Sequence, residues 1–313
     1  MTPKKTDRIN LPTPPANEFF EISLSGNSAK KLQRLLEVLA KFFHEGTFTL
    51  TQESMFFEKM DQGSTFLYTN ILKDIFMTFK LTSEPIQFRC DLNNFSKYLN
   101  VESDDSKVIL HHIFTDNFIT INIQNKSIGN RKFIMKLMNL ADDEEKRNIA
   151  DVIKSIALPI NMKFESAILF STIKEFANLL EKDNKHCTII TENNKSTILS
   201  KANAGENEIQ FELKYSLLTC DLSEKIEGSY DLDYILKLLT LAQKDIILEY
   251  GIDKPIRLTI SEKESPITII FVQAPLVDED PDVESEEEDF DEKIENKLES
   301  DEELEQTENE VTA

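Results

Sequence analysis

"AKKLQRLLEVLAKFF" (residues 29–43) contains the pattern that decides the fold. Its apolar residues recur at the i, i+3, i+4, i+7 spacing of a helix with one buried face. They are Leu32, Leu35, Leu36, Leu39 and Phe43. The opposite face carries four cations: Lys30, Lys31, Arg34 and Lys41. The chain as a whole is strongly acidic, with 35 Lys and Arg against 57 Asp and Glu and a formal net charge of −22. The cations therefore need an explanation.

The negative charge is concentrated at one end of the chain. Residues 277–313 hold 19 Asp and Glu against 2 Lys, a net charge of −17, which leaves −5 for residues 1–276. Residues 277–313 have too few apolar side chains to offset the chain entropy lost on folding, so they are predicted to form a disordered acidic tail. Solvation and competition for basic partners both remain open as its role. Residues 1–18 lack the apolar core of a secretory signal and are predicted to be a disordered N-terminal arm.

The remaining composition favours a folded protein in a reducing compartment. With 313 residues, 40% of them apolar, and 21 Phe, the chain can form about two domains. No apolar run approaches the roughly 18 residues of a membrane-spanning helix. The cysteines are odd in number and far apart, which argues against a disulfide framework or a zinc cluster. They are Cys90, Cys187 and Cys220.

One pattern recurs four times in residues 19–276. Helical spacing is found at residues 28–43, 91–100, 170–183 and 229–244. A strand-like run precedes each helix, at residues 19–24, 86–90, 163–170 and 208–218, and alternating or β-branched strands follow it. A regular recurrence of this kind indicates a repeated architecture, here of β-α-β-β-β units. A polar segment ending in Pro, residues 139–159, lies between the second and third units. We therefore predict an α+β protein with two similar domains, 19–138 and 160–276, joined by a connector, 139–159.

The other three predicted helices also carry cations on their polar faces. These are Lys97, Lys174, Lys182, Lys237 and Lys244. Acidic residues interrupt the faces, notably Glu37, Glu181 and Asp233. For any single helix, an ordinary mixed-charge surface is the simpler interpretation. The recurrence of cations on all four helices of an acidic chain favours a functional role for them.

The sequence contains no recognisable catalytic arrangement. His111 and His112 are adjacent in a predicted strand and would face opposite ways, and His44 and His186 lie elsewhere. No Ser/His/Asp or Cys/His set has supporting context, and no phosphate-binding G-x-x-x-x-G-K-[ST] loop occurs. The acidic pair at 104–105 and the acidic run at 142–145 are interpreted as solvated loops rather than Mg²⁺ ligands. The chain is predicted to be no enzyme and to bind no metal or cofactor.

Four segments resemble one family, the eukaryotic-type DNA sliding clamp called proliferating cell nuclear antigen. "EKMDQGSTFLY" (58–68) resembles its Met-Asp loop, and "SKYL" (96–99) the start of its second helix. "FIMKLMNL" (133–140) resembles the strand before its interdomain connector, and "LTISEKESPITIIFVQAP" (258–275) its last strands. Their order, together with the fourfold unit, covers about residues 19–276.

The resemblance implies the DNA clamp fold, in which three chains close head to tail with helices lining the hole and sheets outside. The cations would then face double-stranded DNA and attract its phosphates without reading sequence. The implied DNA-contacting residues are Lys30, Lys31, Arg34, Lys41, Lys97, Lys174, Lys182, Lys237 and Lys244. The implied function is a processivity factor, loaded by a clamp loader, that tethers DNA polymerase and other replication and repair proteins in the nucleus or a viral replication compartment.

The resemblance also implies two protein-contacting sites. The subunit junction would pair edge strands near 131–137 and 206–213, with Arg131, Lys132, Phe133, Glu206, Glu208 and Ile209 at the interface. A pocket under the connector would hold short partner peptides. Its implied lining is Met60, Leu67, Leu158, Pro159, Pro255, Ala274 and Pro275.

Three departures from the family leave other interpretations open. The connector is longer by about ten residues, an N-terminal arm is present, and the acidic tail exceeds the family's usual few residues. A viral, divergent or checkpoint-type clamp would fit these departures. An acidic histone-chaperone-like or scaffold protein, and a monomeric processivity factor of the same fold, are the alternative functions.

Overall fold

A computed structural model describes these residues: 19–61, 64–83, 85–113, 115–140, 153–180, 185–201, 208–219, 225–241, 245–261 and 266–276. The predicted N-terminal arm, the acidic tail and most of the connector lie outside them, as do Lys182, Glu206, Cys220 and Lys244. Among the described residues, no helix is long and apolar enough to cross a membrane.

The β-α-β-β-β order occurs four times in the described chain. The first unit contains β1 (Phe19–Ser25), α1 (Gly26–Phe42), β2 (Glu45–Leu50), β3 (Ser54–Asp61) and β4 (Thr65–Leu72). A 3₁₀ turn (Lys73–Ile75) and a short strand that was not predicted, β5 (Thr78–Leu81), follow it. The second unit contains β6 (Ile86–Asp91), α2 (Leu92–Tyr98), β7 (Lys107–Ile113), β8 (Phe118–Gln124) and β9 (Arg131–Lys136).

The second half repeats this order. The third unit contains β10 (Ile160–Glu165), α3 (Ser166–Leu179), β11 (His186–Glu192), β12 (Lys195–Lys201) and β13 (Glu208–Glu212). A short strand, β14 (Leu217–Thr219), comes next, and its first two residues lie at the end of the predicted strand 208–218. The fourth unit contains β15 (Ile226–Asp231), α4 (Leu232–Leu239), β16 (Asp245–Tyr250), β17 (Ile256–Ser261) and β18 (Ile267–Gln273).

Helix α1 has Ser25 as its N-cap and Gly26 as its first residue. The Ser25 hydroxyl accepts a hydrogen bond from the Ser28 backbone N–H at 3.2 Å, which satisfies one of the free donors of the first turn. A Cβ on Gly26 would lie 2.4 Å from the Ser103 carbonyl oxygen, so glycine allows the close approach of the 103–104 loop. The predicted apolar residues Leu32, Leu35, Leu36, Leu39 and Phe43 are all buried.

Two predicted strand-to-helix boundaries were wrong. "SAILF" (166–170), predicted to be strand, is the start of α3, because Leu169, Ile173 and Phe176 form a buried face at helical spacing. The strand before α4 is β15, not 208–218; residues 208–212 instead close the third unit as β13. β15 lacks an obvious strand signature because it contains Gly228, where a Cβ would lie 2.4 Å from the Tyr230 hydroxyl.

The strands form three sheets, and the largest crosses from one half of the chain to the other. It has nine strands in the order β14-β10-β16-β17-β18-β4-β3-β2-β6. β4 and β18 pair antiparallel, with Leu67 opposite Phe271 and Phe66 opposite Val272. A five-stranded sheet has the order β5-β1-β7-β8-β9, and a four-stranded sheet has the order β13-β12-β11-β15.

The four helices form one row, in the order α2, α1, α4, α3, with each helix touching the next. At the centre of this helix row, the rings of Phe42 on α1 and Tyr234 on α4 stack with centroids 5.7 Å apart. The buried faces of the helices and the inner faces of the sheets share one core. A separate cluster of Phe66, Ile153, Ile270 and Val272 lies outside this core. Since successive side chains of a strand alternate between faces, this second cluster marks the face of the nine-stranded sheet away from the helices.

His112 is a buried titratable group in β7. Its ring lies 5.4 Å from the ring of Phe20, and its Nδ1 donates a hydrogen bond to the Phe118 carbonyl at 2.9 Å. Burial lowers the pKa of His112 below its ordinary value of about 6.5, and the nearby His111 acts in the same direction, while the Phe118 carbonyl and Asp116 oppose them. Protonation therefore favours the unfolded chain.

Stability should fall as pH drops through the ordinary histidine pKa near 6.5, because the unfolded chain then binds a proton that folded His112 resists. His112→Gln should show a smaller fall in melting temperature between pH 7.5 and 5.5 than wild type. Thermal melts followed by circular dichroism measure this, with exposed His44→Gln as the control. Equal pH dependence in His112→Gln and wild type would contradict the assignment.

Candidate nucleic-acid interface and apolar pocket

The solvent-facing line of α1 carries most of its predicted cations. Lys31, Arg34 and Lys41 are exposed, at the spacing that keeps them on one helix face. Glu37 lies between them and accepts a hydrogen bond from Gln33 at 3.0 Å. Since the buried residues of the helix face the sheets, these three cations point away from the sheets.

Within the part of the helix row that the structure describes, a single cation pairs with a described carboxylate. Among the described residues, none of the following makes an ion pair: Lys31, Arg34, Lys41, Lys97, Lys174 and Lys237. The exception is Lys30, whose Nζ lies 2.8 Å from Asp104 Oδ1. Several cations of strands and loops are paired, as Lys80 is with Glu21 at 3.1 Å and Lys163 with Asp245 at 2.6 Å. Unpaired cations remain available to an external anion.

Aromatic rings hold two of the free lysines. Lys237 Nζ lies 4.9 Å from the centroid of Tyr234 and 6.0 Å from that of Phe42, at the junction of α1 and α4. Lys174 Nζ lies 5.8 Å from the Phe170 centroid on α3. Such cation–π contacts are worth about 0.5–1 kcal/mol at exposed sites. They orient the ammonium groups without neutralising them.

Both predicted junction strands are edge strands. β9 is the last strand of the five-stranded sheet and β13 the last of the four-stranded sheet. Each pairs on one side only within its sheet, so a row of backbone donors and acceptors faces outward, ready to pair with another chain. The exposed alternate residues of β9 are Lys132, Ile134 and Lys136; those of β13 are Glu208, Gln210 and Glu212.

The predicted apolar interface residues face inward instead. Phe133 is half-buried and its ring stacks on that of Tyr98, with the two ring centroids 5.2 Å apart. Ile209 packs against the core. The side chain that projects from β9 is Ile134, which is 59% exposed. Arg131 is engaged within its own chain, donating to the Asn100 carbonyl at 3.2 Å. Lys136 and Glu212 were not predicted as interface residues, although the period of two in each strand could have identified them.

An apolar pocket of about 220 Å³ lies on the face of the nine-stranded sheet away from the helices. Four predicted residues line it: Met60, Pro255, Ala274 and Pro275. The remaining lining is Ser64, Thr65, Phe66, Ile153 and Val272. The Ala274 N–H donates to the Ser64 carbonyl at 2.7 Å, which holds the end of β18 beside the β3–β4 turn.

Three predicted pocket residues lie elsewhere. Leu67 is completely buried in the main core, because it is one residue out of phase with Phe66 and faces the helices. Leu158 is half-buried and Pro159 exposed, and neither is part of the pocket lining. The connector instead contributes Ile153, which is 7% exposed and packs with Phe66, Ile270 and Val272.

The described cysteines are packing residues. Burial raises the pKa of the Cys187 thiol to about 12, and it also raises the pKa of Cys90. Thiols held protonated in this way are poor nucleophiles and metal ligands. Among the described residues, no group of three or more His, Cys, Asp or Glu could hold a metal ion.

Comparison with known proteins identifies the fold. No protein-family model and no curated protein matches the sequence. Among solved structures, PCNA from Thermococcus kodakaraensis superposes with a TM-score of 0.69 at 20% identity, over 82% of this chain and 100% of that one. The PCNA2–PCNA3 complex of Sulfolobus tokodaii gives 0.67 at 14% identity, over 82% and 98%. Proliferating cellular nuclear antigen from Entamoeba histolytica gives 0.67 at 17% identity, over 82% and 99%. The chain therefore has the α+β DNA clamp fold, and that prediction is confirmed.

The different positions of Leu67 and Met60 can be tested by stability alone. Leu67→Ala should lower the free energy of unfolding by about 2–5 kcal/mol, because it leaves a cavity in the core. Met60→Ala should cost about 1 kcal/mol or less, because Met60 is 45% exposed at the pocket. Urea denaturation measures both. A larger loss from Met60→Ala than from Leu67→Ala would reverse the assignment of the two faces.

Proposed function

We propose that this protein is a sliding clamp: a homotrimeric ring that encircles duplex DNA and tethers DNA polymerase and other replication and repair proteins. It acts by binding and not by catalysis, in the nucleus or in a viral replication compartment. A clamp loader opens and closes the ring.

One observation carries the proposal. Six cations on a single row of helices make no ion pair with any described residue, in a chain whose net charge is −22. Attraction between such cations and phosphates is independent of base sequence and permits sliding along the duplex. The acidic remainder of the chain repels DNA, so productive contact is confined to the helix row.

The edge strands support ring closure. β9 offers Lys132 and Lys136 on its exposed side, and β13 offers Glu208 and Glu212. Opposite charges at cross-strand positions stabilise pairing, and each edge has an unpaired backbone. Two different surfaces that join head to tail close into a ring when the rotation between subunits permits.

The pocket supports tethering through peptides. Its lining is dominated by apolar side chains, and it sits on the opposite side of the nine-stranded sheet from the helix row. A peptide anchors in such a pocket by filling it with apolar or aromatic side chains, which are desolvated there. A partner held there would leave the helix row free for DNA.

Charge reversal on α1 tests the DNA contact. Lys31→Glu with Arg34→Glu places six reversed charges in a trimer and should weaken binding to a 40-base-pair duplex at 50 mM salt by at least tenfold, because phosphates then meet carboxylates. Fluorescence anisotropy measures this affinity. Each phosphate contact contributes roughly 0.9 to the slope of log affinity against log salt. The milder Lys31→Gln with Arg34→Gln removes six cations from a trimer and should reduce the slope by up to about 5.

The matched control is Lys73→Glu with Lys80→Glu, which changes the net charge equally but outside the helix row. This control should bind DNA within about twofold of wild type. Equal weakening by both double variants would show that only net charge matters, and the helix row would lose its assignment.

A charge swap tests the ring. Native mass spectrometry of wild type should give a trimer, near three times 36.0 kDa. Lys132→Glu with Lys136→Glu should give monomers, because both edges would then be acidic. Adding Glu208→Lys and Glu212→Lys should restore the trimer. A wild-type monomer that still stimulates polymerase would favour the monomeric processivity factor, and a DNA-independent complex with histones would favour the chaperone.

A further inference from the structure

Arg257 occupies a central position on the outer face of the nine-stranded sheet. In the strand register it lies opposite Glu249 of β16 on one side and Val272 of β18 on the other. Val272 lines the apolar pocket. The Arg257 side chain is only 13% exposed, so its charge is largely withdrawn from water and must be balanced locally.

Glu249 supplies that balance and orients the guanidinium. Arg257 Nε donates to Glu249 Oε2 at 2.6 Å, and Nη2 donates to Oε1 at 2.8 Å. Asn161 also donates to Glu249 Oε1, at 3.1 Å. The carboxylate is itself only 14% exposed. This two-point pairing holds the planar guanidinium in one orientation and leaves Nη1 directed elsewhere.

Nη1 binds the described end of the connector. It donates to the carbonyl oxygens of Ile153 at 3.0 Å, Ile156 at 3.3 Å and Lys154 at 3.4 Å. Residues 153–155 are helical and Ile156 follows them, and the Ile153 carbonyl also accepts a hydrogen bond from the Ile156 N–H at 3.3 Å. Lysine cannot replace this arrangement, because an ammonium lacks the planar fork that binds the carboxylate at two points while a third N–H reaches the backbone.

Neighbouring contacts locate the same segment. Lys254 Nζ donates to the Ala157 carbonyl at 3.0 Å, and Lys154 Nζ lies 4.6 Å from the ring centroid of Tyr68. The Ile153 side chain packs in the outer apolar cluster and forms one wall of the pocket. The backbone carbonyl of the residue that forms this wall is therefore held directly by Arg257.

We infer that Arg257, oriented by Glu249, is a positioning residue for the peptide pocket. It holds residues 153–156 against the sheet, so that Ile153 completes the pocket before a partner arrives. This inference rests on the proposed function of the pocket. Without the anchor, the wall would have to be ordered during binding, and the cost of ordering would lower affinity, mainly through faster dissociation of the peptide.

The test replaces the ion pair by apolar residues. Arg257→Met with Glu249→Leu removes the anchor without leaving a lone buried charge, which protects the fold. Arg257→Lys keeps the charge and should give an intermediate effect. The matched control is Arg89→Met with Glu45→Leu, which removes a similarly buried pair joining β6 and β2 at the far end of the same sheet.

Two measurements report on the anchor. Amide hydrogen exchange in residues 153–157 should accelerate at least tenfold in the Arg257 and Glu249 double variant and remain unchanged in the control. The dissociation constant of a fluorescein-labelled peptide with one aliphatic and two aromatic anchor residues should rise about tenfold in the double variant only. The trimer mass should be unchanged in both variants.

The outcomes separate the inference from the proposed function. Unchanged hydrogen exchange in the double variant would overturn the anchoring role of Arg257. Faster exchange with unchanged peptide affinity would overturn its role in positioning the pocket. No peptide binding by wild type would overturn the proposed function of the pocket and the positioning role with it.

Discussion

Backbone pairing between β4 and β18 is the constraint on which the rest of the structure depends. It joins strands from both halves of the chain into one nine-stranded sheet. Because successive side chains of a strand point to opposite faces, the pairing register assigns each residue of β4 and β18 to one face of the sheet or the other. Leu67 and Phe271 face the helices and complete the main core, whereas Phe66 and Val272 face outward and form the pocket. A slip of one residue would exchange these roles.

The two faces of the sheet also separate two kinds of charge. On the helix row the cations have no carboxylate partners among the described residues, apart from Lys30. On the outer face Arg257 and Glu249 neutralise each other and bind the connector. An unpaired exposed cation attracts a distant anion within the screening length, about 8 Å at physiological salt. A buried and paired arginine instead acts through geometry, because it orients a neighbouring segment.

Sequence patterns were reliable where local spacing decides structure. The period of 3.6 in α1 placed its buried residues correctly, and the recurring unit predicted the β-α-β-β-β architecture, although residues 208–212 belong to the third unit and not to the fourth. They failed where a segment lacked its own signature. β15 contains Gly228 and Ser229, and its strand character comes from pairing with β11. "SAILF" is apolar enough for a strand, but packing of Leu169 and Ile173 makes it helical.

The sequence by itself determined the amphipathic faces, the alternation of strand residues and the charge of each segment, because these depend on neighbours along the chain. Met60, Pro255, Ala274 and Pro275 could be assigned to one pocket from resemblance alone. Only the tertiary structure decided that Ile153 joins them and that Leu67 does not, because strand register sets which face a residue occupies. It also decided which cations are free. Lys30 and Lys31 are neighbours in sequence, yet only Lys30 lies within reach of Asp104, a residue 74 positions away.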